Sequence, residues 1–353
     1  MTINPAILTH DEWRGLFDSL FPENRDVYFT LGYHELNSVG ADELPRCYRL
    51  GGESGTLYLP GMVMAIPGNG VWAALGGALR DFQTCNGYGG PFATGHIDAT
   101  LLEEAWRRWR QEARNQGIVA AFFRLHPLLK NETLLPNSAI VRKDRSTVYV
   151  DLSDGVKAAW RRADSRHRNM VNKGRRCGHE VRWGCEGAWD EFQSVYSKAM
   201  ERLNAPASLR FSEDYFSSLR LLPEAELATI HAKGKLMAGA VFLFSSRWGY
   251  YHLSAKEVDA ENCMMNQLLQ AAFERAYERG IQGVHLGGGR SAGENDSLLR
   301  FKKSTGGILV DFKVALLITD DAKYTELCNE WKLIHQINPT WLLPYREPVT
   351  ATI

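Results

Sequence analysis

The chain has 353 residues, 44% of them apolar, which excludes a disordered polypeptide and leaves room for two domains of ordinary size. Forty-one basic residues balance forty-one acidic ones, so bulk charge predicts no polyanionic partner and any nucleic-acid contact must come from a local patch. Cys47, Cys85, Cys177, Cys185, Cys263 and Cys328 are scattered without a C-x-x-C pair, which speaks against a zinc site and against a secreted disulfide framework.

Residues 1–10 hold no basic region followed by an apolar core, and no apolar run approaches about eighteen residues. The expectation is a soluble, cytoplasmic chain with no membrane span. Thr9-His10-Asp11-Glu12 reads as a capping box, followed by Trp13, Leu16, Phe17, Leu20 and Phe21 at helical spacing. Extended stretches follow at 46–51, 56–66 and 70–77, and residues 83–97 read as loop. A second capping box, Thr100 to Glu103, opens a helix that Gly117 ends, and Ile118 to Leu125 is a buried strand. The second half repeats the order. A helix carries Trp189, Phe192, Val195, Tyr196 and Ala199, strands follow at 226–232, 236–244 and 248–254, and a helix over 262–279 precedes a strand at 283–287.

Each half therefore reads helix, antiparallel strands, helix, strand. This fits an α/β (α+β) mixed sheet in two tandem GNAT-like acyltransferase domains with a substrate cleft between them. The expected division is residues 1–147, completed by 318–353, and residues 148–317. The alternative is one large α/β domain.

Several constellations could carry chemistry. Asn86-Gly87-Tyr88-Gly89-Gly90-Pro91 lets backbone approach a ligand and offers a stacking face; its ordinary reading is a tight turn. Arg124-Leu125-His126-Pro127 lies beyond the carboxyl end of a strand, where ligands of open sheets gather. From Arg161 to Arg182 eight basic residues face only Asp164 and Glu180. Such a run is either a solvated helix face or a phosphate-binding patch, and Arg166, Arg168, Lys173, Arg175 and Arg176, with Lys303, are the candidates for the latter. Gly289-Arg290-Ser291-Ala292-Gly293 matches the nucleophile elbow of serine hydrolases. However, Asn295-Asp296-Ser297 reads as loop and only His335 follows, so the partners for that chemistry are missing. Phe301-Lys302, after the strand end His285-Leu286-Gly287-Gly288-Gly289, reads as a loop that delivers a cation into a further strand, where it could steady a phosphate or an oxyanion. The entry to the helix at 262, Asp259-Ala260-Glu261-Asn262-Cys263, has no glycine and is a poor cradle for a pyrophosphate.

Taken in order, Gly89-Gly90-Pro91, Arg124 with His126-Pro127, Tyr149-Val150-Asp151-Leu152, Met200-Glu201-Arg202, Tyr215-Phe216, the strand into Gly287-Gly288, and Phe301-Lys302 with Gly306-Gly307 resemble the Fem family of aminoacyl-tRNA-dependent transferases, over about residues 25 to 315. The absence of a long heptad arm makes the compact FemX type the nearest pattern. The resemblance implies attack by a primary amine on the ester of an aminoacyl-tRNA to give a peptide bond, with no metal and no cofactor beyond the aminoacyl-tRNA co-substrate. It implies a catalytic role for Lys302 with Phe301. It implies substrate contacts from Tyr88, Gly89, Gly90, Arg124, His126, Arg202, Arg210, Tyr215, Gly288 and Gly289. The acceptor is then an amine on a cell-wall precursor peptide or on a small peptide or natural product, and the enzyme a monomer. Where FemX-like members carry a diphosphate-binding lysine, this chain reads Gly32-Tyr33-His34-Glu35-Leu36, and a carboxylate there repels a diphosphate. That speaks against a UDP-muramyl acceptor. The alternative function is N-acyl transfer from an acyl-CoA or acyl carrier protein.

Overall fold

The computed structural model describes residues 3–20, 25–38, 40, 43–52, 54–66, 79–185, 187–291, 293 and 295–347. The expected strand at 70–77 lies outside them, as does Ala292. The chain forms two compact units, Met1–Asp18 with Tyr28–Asp144 and Phe312–Ile353, and Ser19–Val27 with Arg145–Asp311.

The first unit opens with β1 (Ala6–Ile7) and α1 (His10–Ser19). The capping box is formed: Glu12 N donates to Thr9 Oγ1 at 3.2 Å, and Thr9 N donates to Glu12 Oε2 at 2.8 Å. After α2 (Leu31–Leu36) come β2 (Glu43–Gly51), β3 (Gly55–Ala65), β4 (Arg80–Gln83) and β5 (Phe92–Gly95). The stretch 83–97, expected as loop, thus holds the end of β4 and all of β5. Its strand character comes from distant partners: β5 pairs antiparallel with β3, and Phe92 stacks on Tyr58 with ring centroids 5.0 Å apart. Next come α3 (Ala99–Asn115) and β6 (Ile118–Arg124). The cap of α3 is Asp98, whose Oδ1 accepts Leu101 N at 2.8 Å, rather than Thr100. Glu103 turns away and accepts Asn137 N. Leu101, Ala105, Trp106, Trp109 and Ala113 bury one face of α3 against β2, β3 and β6.

The chain then enters β7 (Ile140–Asp151), α4 (Val156–Arg162), α5 (Ser165–Arg176), β8 (Val181–Trp183), α6 (Ala188–Arg202) and α7 (Glu213–Leu219). The meander β9 (Ala225–Ala232), β10 (Lys235–Phe244) and β11 (Trp248–Lys256) turns at Lys233-Gly234, both at positive φ as a tight two-residue hairpin needs. Then α8 (Cys263–Glu278), β12 (Gly283–Gly288) and α9 (Ser297–Lys303) complete the second unit with the start of β13 (Ile308–Ile318); α10 (Asp321–His335) follows in the first.

Within each unit the sheet has the same plan. In the first, β2, β3 and β4 are antiparallel, β4 and β6 run parallel with α3 between them in sequence, and β13 closes antiparallel on β6. In the second, β8 to β11 are antiparallel, β11 and β12 run parallel with α8 between them, and β7 closes antiparallel on β12. The closing strand of each sheet is therefore drawn from the chain that follows the other parallel pair: β7 follows β6, and β13 follows β12. The second core gathers Val148, Val150, Phe242, Leu268, Phe273, Val284 and Leu299, with Phe301 packed at its margin. No helix among the described residues is long and apolar enough to cross a membrane.

The C-terminal segment is tied to the first core by a buried ion pair. Arg346 donates from Nε to Asp81 Oδ2 at 2.6 Å and from one Nη to Asp81 Oδ1 at 3.0 Å and the Ala65 carbonyl at 2.7 Å, while Asp81 is fully buried. Burial pushes the Asp81 carboxyl above its ordinary range, and Arg346 works against that push. Removing the cation would leave a buried, uncompensated carboxylate. Arg346→Ala is therefore expected to cost about 3–5 kcal/mol in urea denaturation at pH 7; a loss below about 1 kcal/mol would show the pair to be dispensable.

Candidate functional site

In the second unit the parallel strands β11 and β12 pair only over Trp248–Tyr250 and Gly283–His285. Beyond Tyr250 the two part. β11 bulges at His252, where its register against β10 shifts, and β12 bulges at Leu286, with Gly287 at φ +74°. Bulges re-aim side chains and end pairing, so the strands leave a gap at the carboxyl end of the sheet.

A lysine fills the base of that gap. Lys302 donates from Nζ to the Gly288 carbonyl on β12 at 2.7 Å and lies 5.7 Å from the ring centroid of Tyr251 on β11, so one ammonium spans the two diverging strands. It is only 7% exposed. Burial lowers its pKa to about 8, and the nearby Asp296 carboxylate acts in the opposite sense. Tyr251, whose hydroxyl donates to Ser254 Oγ at 2.5 Å, is raised by burial to about 12.

The Phe301-Lys302 pair does not sit on a loop leading into a strand. Both residues belong to the last turn of α9, a helix that the local sequence hides because its start depends on a side chain folding back. Asp296 caps it, accepting Leu298 N and Leu299 N at 2.9 Å each. The same carboxylate accepts Arg290 N and Ser291 N at 3.0 Å and the Ser291 hydroxyl at 3.2 Å. Asn295-Asp296-Ser297 is thus a helix start rather than a continuous loop. Ser291 is bound to the capping carboxylate, not to a histidine, which leaves it without a base. Gly289 is needed for this fold: a Cβ there would lie 2.4 Å from Asp296 Oδ1. With two backbone amides from each side converging on it, the Asp296 carboxyl falls to about 2, the Leu299 amide contributing most.

The other second-unit candidates are held by contacts of their own. Tyr215 is buried, stacked on Phe211 at 4.0 Å, and its hydroxyl meets His252 Nε2 at 2.7 Å. Burial lowers His252 to about 4, so the ring is neutral at physiological pH. Arg202 and Arg210 are exposed and hydrogen bond to the carbonyls of Lys256 and Ala205. Sequence reasoning missed Tyr251, His252 and Asp296; alternation along β11 could have brought out Tyr251, but the bulge that turns His252 to Tyr215 has no local signature.

The basic run forms α4 and α5, and its cations differ in role. Arg168 bonds to the Ala163 carbonyl, Lys173 pairs with Glu261 at 2.8 Å, and Arg175 pairs with Glu274 at 3.2 Å while lying over the Trp160 ring. Arg166, Arg176 and Lys303 are exposed and make no ion pair among the described residues. The two helix ends meet directly, Asp164 N at the head of α5 donating to the Ser304 carbonyl at the tail of α9 at 2.9 Å. Lys303 therefore belongs with the basic run. At the head of α8, Glu261 is occupied by Lys173 and by His179 Nε2 at 3.4 Å.

In the first unit Tyr88, Gly89, Arg124 and His126 come together. The Gly89 carbonyl accepts His126 N at 3.0 Å and Asn131 Nδ2 at 2.8 Å. Tyr88 packs edge-on against Tyr28, Phe312 and His126. Gly90 sits at φ +98°, and a Cβ there would meet Asn131 Nδ2 at 2.7 Å. Arg124 reaches the Thr84 carbonyl at 2.9 Å and lies over Phe122. Glu35 is exposed and paired with Arg14 at 3.1 Å.

Residues 160–303 match the model of the acetyltransferase (GNAT) domain family. No curated protein sequence matches the chain. Among solved structures, FemX is 13% identical with a TM-score of 0.69, covering 92% of this chain and 99% of that one. The C-terminal domain of a putative lysylphosphatidylglycerol synthetase from Agrobacterium fabrum is 15% identical with a TM-score of 0.55, covering 89% and 94%. L-PGS from Bacillus licheniformis is 13% identical with a TM-score of 0.53, covering 77% and 83%. At these identities the likeness is one of fold. The chain has a Fem-type tandem GNAT fold, and its second unit carries the GNAT acyltransferase domain.

The Asp296 cap gives a pH signature. Its folded-state pKa is depressed, so the stability it contributes is complete above about pH 4 and is lost as pH falls toward about 2. Asn can cap a helix but carries no charge. Asp296→Asn is expected to be less stable than wild type at pH 6, with the gap shrinking between about pH 4 and pH 2 in urea denaturation. A gap independent of pH would mean the carboxylate is not held as described.

Proposed function

We propose that the protein is an aminoacyltransferase that moves an amino acid from aminoacyl-tRNA to a primary amine, forming an amide. The observation that carries this reading is the Lys302 ammonium spanning the parted ends of β11 and β12, beside an exposed basic helix end. In this reading the acyl group lies where β11 and β12 part, and the cation offers charge where an oxyanion develops. Arg166 and Lys303, where the head of α5 meets the tail of α9, and Arg176 at the far end of α5 supply exposed positive charge for a phosphate backbone. The Fem resemblance and the name of the lysylphosphatidylglycerol synthetase neighbour point the same way, toward an aminoacyl group joined to an acceptor.

In this mechanism the acceptor amine attacks the ester carbonyl carbon. A carbon–nitrogen bond forms, negative charge builds on the carbonyl oxygen, and the bond to the terminal ribose oxygen breaks. Lys302, cationic below about pH 8 and itself buried, steadies that charge by electrostatics. The amine loses one proton to a carboxylate or hydroxyl of the acceptor itself, which passes it on to the leaving ribose oxygen. In the second unit Tyr215 contacts the acceptor; the first unit's candidates, Tyr88, Arg124 and His126, form a group of their own. The acceptor is a cell-wall precursor peptide or a small peptide or natural-product amine, and the exposed acid Glu35 speaks against one bearing a UDP-diphosphate.

The second reading is N-acyl transfer from an acyl-CoA or acyl carrier protein, favoured by the GNAT match over 160–303. Against it stands the head of α8, where Glu261, held by Lys173 and His179, takes the place a pyrophosphate would need. The deciding experiment supplies tRNA charged with labelled amino acids and a bacterial metabolite extract, with and without ribonuclease. Ribonuclease-sensitive incorporation is the expected result. Incorporation that needs coenzyme A thioesters and ignores ribonuclease would replace the first reading by the second.

Three further outcomes follow from the geometry. Lys302→Met should lower single-turnover transfer at least about 100-fold while changing tRNA affinity by less than about threefold. In the wild type, transfer should decline as pH rises through about 8, because Lys302 then loses its charge; a rate that keeps rising to pH 9.5 would remove the ammonium from the chemistry. Arg166→Glu with Arg176→Glu should weaken tRNA binding and flatten its dependence on salt by about one unit of slope per lost contact. An unchanged salt slope would make this face an ordinary solvated helix.

A further inference from the structure

A cluster at the junction of α5 and α8 is outside the chemistry described above. Two short sequence pairs, Cys177-x-His179 at the end of α5 and Glu261-x-Cys263 at the start of α8, are brought together there although 82 positions separate His179 from Glu261. One ligand atom from each of His179, Glu261 and Cys263 lies within 4.8 Å of the other two. Cys263 Sγ is 3.8 Å from His179 Nδ1 and 3.8 Å from Glu261 Oε2, and His179 Nε2 is 3.4 Å from Glu261 Oε1. Cys263 is fully buried, and the His179 side chain is 10% exposed.

We propose that His179, Glu261 and Cys263 form a binding site for a zinc-like divalent transition-metal ion that ties the end of α5 to the start of α8. The donor set is one thiolate, one imidazole and one carboxylate, which suits a tetrahedral ion of borderline softness and not magnesium or calcium. Bonds of about 2.0–2.3 Å place neighbouring ligands of a tetrahedron roughly 3.3–3.8 Å apart; with one donor atom per residue the three lie within 4.8 Å of one another, so a modest shift of the side chains closes the set. Thiolate and carboxylate together balance a dipositive ion, so the half-buried site would carry no net charge. Cys177, exposed two residues before His179, or a solvent molecule completes the fourth position.

One observation opposes the ion and supplies the sharpest test. Lys173 Nζ lies 2.8 Å from Glu261 Oε2, and a bound cation must displace it. The Lys173 side chain is 51% exposed, so its ammonium can leave to solvent. A hydrogen-bonded cluster without metal function predicts no effect of Lys173 on metal affinity; the proposed site predicts that its removal strengthens binding.

The experiment titrates chelator-treated full-length protein with Co²⁺ under anaerobic conditions and follows the near-ultraviolet thiolate-to-cobalt charge-transfer band. One equivalent is expected to bind with that band, and Zn²⁺ is expected to displace it. Cys263→Ser should abolish the band. Because Cys263 is buried, His179→Gln serves as a second variant, checked for native circular dichroism, and should weaken Co²⁺ at least about tenfold. Lys173→Ala should tighten Co²⁺ about three- to tenfold. No charge-transfer band in the wild type, a band that survives Cys263→Ser, or an affinity indifferent to both His179→Gln and Lys173→Ala would each overturn the site.

Discussion

The two sheets depend on an exchange of closing strands. A parallel pair such as β4–β6 or β11–β12 leaves its second strand with a row of unpaired amides and carbonyls, and such an edge invites pairing with any other chain. Here β13 covers β6 and β7 covers β12, each supplied by the stretch that follows the other parallel pair. The connection removes an edge from both sheets. A cut in the chain after β7 would therefore separate each parallel pair from its cover. The segment Ser19–Val27 adds to this interdependence, since Asp26 receives the Tyr250 hydroxyl and Val27 N donates to Ser245 Oγ at 2.8 Å, all within the second unit.

Within the second unit the same sheet creates the candidate site by failing to continue. β11 and β12 share three residue pairs and then part, with a bulge on each strand at the point of separation. The gap would be filled by water or side chains in a protein selected for stability alone. Here it holds an ammonium whose pKa falls from 10.5 to about 8, a loss on the order of 3 kcal/mol against leaving the lysine in solvent. The protein tolerates that loss because Lys302 is positioned from both sides. Asp296 fixes the start of α9 through bonds to four backbone amides and the Ser291 hydroxyl, and the Gly288 carbonyl receives the ammonium at its end. A buried charge with a shifted pKa, held in place from two sides, is a pattern that marks candidate sites.

The basic run has a mixed character. Arg168, Lys173 and Arg175 are engaged by a carbonyl or a carboxylate and help to pack α5 against its neighbours. Arg166 and Arg176 remain exposed at the two ends of α5, and Lys303 at the end of α9. A count of charges along the sequence treats these residues alike. Their contributions to a polyanion's binding differ, because a cation already paired must break that pair before it can meet a phosphate.

The sequence by itself determined the local events: the reciprocal cap at Thr9 and Glu12, the hairpin at Lys233-Gly234, the amphipathic faces of α3 and α6, and the repeated order of elements that gives the tandem fold. Each of these is decided by residues within a few positions of one another. Tertiary structure alone decided β5, whose pairing with β3 and ring stack on Tyr58 reach back tens of residues, and the helix carrying Phe301-Lys302, whose cap doubles as the anchor of the preceding loop. It alone brought Lys302 to Gly288 and Tyr251, Tyr215 to His252, and Cys263 to His179. Those meetings arise where strands part, bulge or end, and a sequence read through periodicity records where elements run but not where two of them separate.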